Sequence, residues 1–593
     1  MGLRQLIIEL RRRRVFRAAA LYIVTAWVAI QVAGEFFPAI GVPDEAIRYV
    51  WLIVASLFPI AVVFAWRYDV SLEGVTRTPP ASPSDDFDPS LRKTDFVLLA
   101  ALATVALSLV LQFGSRIEPG QMRLDDSISA FSIAVLPFDD LSGNPDEQYF
   151  VSGMQSSLID GLSRVRNLRV TSKVSTMPFR EAGASLLDIA LQLGVARVVE
   201  GTVLRDGSRV SIALRMHDAE KDEQVWSARF EDELGNIMLM QAKAAQEIAN
   251  QVRVQLGSEE REQFAAARPV NPDAYNAVLK GIFHVERFNP EDMRIAATHF
   301  QRAVEIDPDY ALAHWGLSKL CLFQAQIGML TSVEAREKCM PLAVKGLELD
   351  PFLPGAHIAM ASSLTWHYFD WEGARAYWER ALELNPSYAE AHVFFAHYLG
   401  VLGELDDSTE HIEKAVALDP LNPFTIGLYS VQLVMRNEYE EAISFGEQAV
   451  SMAPGYAFGY GTLVMAHDSL GNEEKAIRAF ANMLRLVGEK PDAAEFLETA
   501  YQRDGYEAAN LQLAEFLVTA SESRKVNPST ISMAYEFGGD YESSIDWLEI
   551  SVERRDPDAP YIGALVKDPA VLAHPRYKAL VKRMGLDYWA SGP

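Results

Sequence analysis

The side chains whose types and spacing could do chemistry are few. Asp139, Asp140, Asn144, Asp146 and Glu147 gather oxygen ligands within a short stretch, a composition suited to a hard divalent cation. Such an ion needs six or more oxygens in fixed geometry, and the calcium-loop spacing is absent. The stretch therefore reads as a solvated turn entering a helix N-terminus, where the dipole favours acids. His392 and His397 stand five apart, not the four that would put two imidazoles on one helix face for zinc. No G-x-x-x-x-G-K-[ST], G-x-S-x-G or H-E-x-x-H occurs, so the usual spacings for phosphate, serine and zinc-protease chemistry are missing. No catalytic, cofactor or metal residue is assigned, and an enzyme is not expected. Cys321 and Cys339 leave two readings open, a disulfide pinning an inserted loop or a pair of buried thiols.

The elements that would position anything else are set by periodicity. Ala374, Ser408, Ala442 and Ala476 recur every 34 residues, as do Ala381, Ala415 and Ala449, and Pro386, Pro420 and Pro454. Small residues seven apart with a proline five later form the tetratricopeptide signature: the small side chains let two antiparallel helices approach, and the proline ends the second. Phe300, Trp378, Ile412 and Phe480 fill the bulky place, which Gly446 leaves empty. The phase slips between Pro308 and Pro351, 43 residues apart, which implies nine inserted residues near 324–332. Residues 272–593 are expected to form one all-α solenoid of about eight helix pairs with a C-terminal cap. By the phase of this repeat family, Trp366, His397, Phe424, Val431, Phe458 and Met465 fall at groove positions. They imply an apolar or amphipathic peptide partner, with packing between neighbouring repeats as the alternative.

Before the repeats, "FSIAVLPF", "LRVTS", "ARVVEGTVLRDG", "SRVSIALRMHD" and "EQVWSARFE" read as strands, with Asp206-Gly207 as a hairpin turn. Glu147–Val165, Ser185–Leu193 and Asn236–Leu256 read as helices. The stretches "SIAVLPFDDLSGNPDEQYFVSGM" and "LGVARVVEGTVLRDGSRVSIALRMHDAEKDEQVW" resemble the TolB-type (FlgO-like) amino-terminal domain of bacterial membrane proteins that carry helical repeats, some with a cyclase or winged-helix domain. Ser152 stands where that family more often has Asp. The resemblance implies a non-enzymatic α/β module over 131–257, after a linker at 114–130.

Hydropathy and charge shape the rest. Three uncharged runs, 18–34, 49–66 and 96–113, have the length of membrane spans, the latter two about 27 Å each as helix. Lys and Arg concentrate in the basic terminus 1–17 and the 67–95 loop, which places both in the cytoplasm. The expected fold class is thus multi-domain, with three N-terminal transmembrane helices, an α/β domain and an all-α tetratricopeptide solenoid. The expected location is a bacterial inner membrane, the bilayer being one partner and the C-terminal domains periplasmic. Residues 1–113 hold 11 Lys and Arg against 10 Asp and Glu, whereas the remainder holds 43 against 70. Such a polyanionic body disfavours nucleic acid. The function expected is a membrane-anchored scaffold that binds a protein or peptide partner through the repeat groove. The alternative is a receptor that signals through the 67–95 loop.

Overall fold

The computed structural model describes residues 129–590 with short breaks at 181–183, 255, 288–289, 327–328, 487–490 and 523–525, together with Tyr22 and residues 68–71 and 74–77. The chain divides into two units, Met1–Met122 and Arg123–Pro593. In the first, β1 (Tyr68–Ser71) and β2 (Gly74–Arg77) pair as an antiparallel hairpin, within the stretch 67–95 that the sequence reads as a loop.

The expectation of three transmembrane helices, and with it of a multi-pass inner-membrane location, is corrected here. Among the described residues no helix is long and apolar enough to cross a membrane. Even the longest, Ser332–Leu349, carries Glu334, Arg336, Glu337, Lys338, Lys345 and Glu348, charges that water solvates and hydrocarbon would not. The runs at 18–34, 49–66 and 96–113 lie, apart from Tyr22, outside the described residues. The architecture is a helical solenoid with a small sheet domain.

That domain is built on β3 (Ser132–Val135), β4 (Asp139–Asp140), β5 (Arg169–Val170), β6 (Arg197–Asp206), β7 (Arg209–Asp218) and β8 (Glu223–Glu233). The strand order is β5-β3-β6-β7-β8, with β4 extending the pairing of β6. β3 lies parallel to β5 and β6, while β6, β7 and β8 form an antiparallel meander. The β6–β7 turn places Gly207 at φ +60°, a left-handed conformation that suits glycine. Helices Gln148–Ser163 and Ile237–Gln251 cover one face around Phe150, Met154, Leu162, Ile237 and Ile248. The second is shorter than the sequence suggested, and a separate helix, Ser258–Ala265, follows it. Leu186–Leu193 covers the other face, capped by the Ser185 side chain.

The first solenoid helix, Pro272–Val285, belongs to both cores: Tyr275 and Leu279 join the sheet domain's cluster while Val278 and Val285 join the first repeat. Among the described residues eight antiparallel helix pairs then follow from Pro272 to Arg554. The repeated small residues behave as their size requires: Ala374, Ser408, Ala442, Ala381, Ala415 and Ala449 are wholly buried. Hydroxyls at such contacts tie the paired helices together, Ser408 Oγ donating to the Ala396 carbonyl at 2.5 Å and Ser430 Oγ to that of Ala442 at 2.7 Å. The empty place at Gly446 is filled from the next repeat, since a Cβ there would sit 2.9 Å from Leu463 Cδ2.

Because Ala415 is wholly buried, Ala415→Leu is expected to overpack its helix pair and cost about 1–3 kcal/mol. An unchanged melting temperature of the full chain would show that the two helices do not meet there.

The nine-residue slip is spread along one pair rather than looped out: Ala311–Gln326 and Ser332–Leu349 exceed the ordinary lengths of Ala389–Leu402 and Leu405–Leu418 by two and four residues. The turn between them takes the rest. Cys321 and Cys339 lie on these two helices with Cα atoms 5.4 Å apart and are joined as a disulfide. Protein purified without reductant and alkylated under denaturing conditions should therefore gain no label until reduced; two labelled thiols before reduction would exclude the bond.

Candidate functional site

The first helices of the middle pairs, Pro354–Ser363, Ala389–Leu402, Pro423–Met435 and Ala457–Ser469, carry the six side chains that the repeat phase assigns to the groove. Trp366 sits on a π-helical turn, Leu364–Tyr368, that widens the end of the first of these and closes at Phe369 with φ +56°. Its indole meets Trp378 and Phe394 edge-on, with centroids 5.9 and 5.6 Å apart. Phe394 in turn meets Phe424, Phe424 meets Tyr456, and Tyr456 meets Phe458, so an aromatic file crosses four repeats. Val431 packs on the cluster that holds Ile562 and Trp589, and Met465 shares a cluster with Leu565.

Four of the six thus converge on one segment, and that segment belongs to the same chain. After Arg554 the backbone turns back: the helices Ile562–Leu565 and Asp587–Ala590 lie against the groove, and between them Pro569–Ala573 and Pro575–Arg583 pack on the last repeat helix, Tyr541–Arg554. Tyr561 is at the centre. Trp366 Nε1 donates to its hydroxyl at 3.3 Å, and that hydroxyl lies 3.2 Å from His397 Nδ1. The other imidazole nitrogen, Nε2, is 3.0 Å from the Leu428 carbonyl. A carbonyl only accepts, so Nε2 carries the proton, Nδ1 accepts, and Tyr561 donates to it. The result is a continuous relay of donors from Trp366 through Tyr561 and His397 to Leu428.

Burial holds His397 neutral by pushing its pKa down to about 4, against a smaller opposing effect of the Leu428 carbonyl. A base depressed in the folded state stabilises it fully above its unfolded pKa of about 6.5 and loses that contribution as pH falls through the folded value. Stability should accordingly drop by at most about 3 kcal/mol on acidification across this window. Burial raises Glu536 and Asp556 to about 7. These acids favour folding as pH falls, so the total slope is blunted. Comparing urea midpoints of wild type and His397→Leu from pH 7 to pH 4 isolates the histidine: the two curves should converge at low pH, and parallel curves would exclude a buried neutral imidazole.

The remaining anchors share one chemistry. Arg555 donates to the His367 carbonyl at 3.3 Å and to that of Tyr368, its guanidinium 4.9 Å from the Phe369 ring centroid. Trp589 Nε1 donates to the Val401 carbonyl at 2.8 Å, and Lys567 Nζ to that of Met435 at 3.3 Å. In return Trp371 Nε1 donates to Met584 at 2.7 Å. None of these partners was assigned from sequence. The signal available was the apolar stretch "YIGALV" in the segment that the sequence reads as a C-terminal cap.

A second junction fixes the sheet domain to the solenoid. Asp419, 4% exposed, accepts from Ser175 Oγ at 2.7 Å, from Ser172 Oγ, and from Asn422 Nδ2 at 2.6 Å. Ser387 Oγ donates to the Leu168 carbonyl at 2.9 Å and accepts from Val170 N. Arg169 donates to the carbonyls of Leu193, Gly194 and Ala417, stapling two helix C-termini. In the 139–147 stretch the Asp140 carboxylate accepts from Ser142 and Asn144 Oδ1 accepts from Asp146 N. No group able to hold a metal occurs among the described residues.

Residues 129–248 match the family model of the second domain of HilA/YgeH-like transcriptional regulators. The chain is 31% identical over 237 residues to "Putative adenylate cyclase 3" of Rhizobium meliloti (strain 1021), covering 40% of each protein. It is 31% identical over 84 residues to the Hsp70-Hsp90 organizing protein of Triticum aestivum, 14% of each. The chain therefore spans well under half the length of these relatives. A tetratricopeptide repeat protein from Parabacteroides merdae matches at 16% identity and a TM-score of 0.31, over 45% of this chain and all of that one.

Proposed function

We propose that this chain is a non-enzymatic protein-interaction scaffold whose repeat groove takes a peptide segment of a partner. One observation carries the reading: the groove already receives a peptide segment, the chain's own C-terminus, through apolar contacts and hydrogen bonds centred on Trp366 and His397. Recognition of this kind uses side-chain anchors in an apolar groove with a few placed polar groups. Phe424 and Phe458, half-buried on the aromatic file, extend that wall beyond Tyr561. The likeness of parts of the chain to a transcriptional regulator and a cyclase is in keeping with an accessory segment that serves different output domains.

The test is selection of peptides from a displayed random library on the purified full chain, followed by affinity measurement against Phe458→Ala and Met465→Ala. Selected peptides should bind these variants at least tenfold more weakly than wild type. Peptides indifferent to both substitutions would place recognition elsewhere.

A further inference from the structure

The segment beyond Arg554 packs both on itself and on the repeats. Tyr577 Oη donates to the Ile562 carbonyl at 2.9 Å, a Cβ on Gly563 would lie 2.7 Å from the Trp589 indole, and Val571, Leu580, Val581 and Leu586 share one buried cluster with Ile545 and Leu548 of the last repeat and with Val401 and Met435 of the groove helices. Arg576 pairs with Glu542, Asp546 and Glu549 of the last repeat. Arg555, at φ +53°, turns the chain out of that helix.

Its seat on the groove follows a rule. Three consecutive first helices, ending at Tyr368, Leu402 and Met435, present the carbonyls that helix geometry leaves unpaired in the last turn, where the macrodipole is negative. Each meets one donor from the segment: Arg555 at His367 and Tyr368, Trp589 at Val401, Lys567 at Met435. Between these points Tyr561 occupies the Trp366–His397 notch. The groove therefore reads aromatic side chains flanked by cations, a pattern that also complements a chain of formal net charge −26.

We propose that residues 555–590 are an intramolecular ligand that keeps the groove closed, and that the outside partner presents a basic, aromatic peptide segment which displaces them. This rests on the groove being the binding site. The probe is a labelled synthetic peptide of residues 555–590, titrated by fluorescence anisotropy into the full chain and into a Tyr561→Ala/Trp589→Ala variant, with amide exchange of 555–590 followed in parallel.

The variant should bind the peptide at least tenfold more tightly than wild type and exchange its own segment at least tenfold faster. Adding Trp366→Ala, or placing Lys567→Gln in the peptide, should reverse most of the gain. Equal binding by both chains would overturn the closing role while leaving the groove as a binding site. No binding by a variant whose segment exchanges freely would overturn the proposal together with the groove reading. Should the double variant fail to melt cooperatively, Arg555→Ala takes its place, since that side chain lies outside the buried cluster the segment shares with the repeats. Unchanged exchange of 555–590 in Arg555→Ala then counts against a movable segment.

Discussion

Trp378→Ala should lower the stability of the full chain by about 3–5 kcal/mol, read as a shift of the urea midpoint. The indole is wholly buried. It stacks near Phe395 and Phe394, with centroids 6.4 and 6.5 Å away, and its Nε1 donates to Thr365 Oγ1 at 3.2 Å. Alanine would leave a cavity between two helices whose contact is already set by Ala374 and Ala381, so the walls have little freedom to collapse. The loss should also reach the groove, because Trp366 rests edge-on against this ring. A change below about 1 kcal/mol would mean that the pair can close over the gap, contrary to the packing described.

The second large effect is expected at Asp419. Its carboxylate takes hydroxyl and amide donors from Ser172, Ser175 and Asn422, with Thr425 Oγ1 at 3.4 Å. Asp419→Ala strands several buried donors at once, and hydrogen bonds to a charged acceptor are worth about 1.5–3 kcal/mol each, so a loss of about 3–5 kcal/mol is expected. The readout distinguishes a seam from a core. Leu421 N donates to Ser175 Oγ and Ser172 N to the Leu418 carbonyl; these two amides should exchange much faster in the variant while amides inside the sheet keep their protection. Uniform loss of protection throughout would mean that the domain and the repeats do not separate along this line.

What could be read in the sequence was what is local or periodic. The 34-residue spacing of Ala374, Ser408, Ala442 and Ala476 reflects a contact repeated in every pair, and Asp206-Gly207 encodes its own turn. The uncharged runs at 18–34, 49–66 and 96–113 suggested spans; no described helix is long and apolar enough to be one, and the runs themselves lie, apart from Tyr22, outside the described residues. The occupied groove was hidden for a different reason. Tyr561 and Trp366 are 195 residues apart, and no periodic signal links a closing segment to the third pair. The π-turn under Trp366 was equally out of reach, since its widened geometry depends on what packs against it. Asp419 and Ser387 stand at turns between helices, where a side chain that caps a turn and one that receives another domain have the same local pattern.

Arg555, at the end of the eighth pair, touches the carbonyls of His367 and Tyr368 in the third. An open array of repeats is nearly one-dimensional: each unit feels only its neighbours, the ends fray, and stability accumulates unit by unit. Contact between third and eighth closes the file into a loop, so the units between them have no free end from which to unravel. Those repeats should melt as a single cooperative block, and the chain must search for a distant contact before that block is complete, which raises contact order and slows folding relative to an open array of equal length.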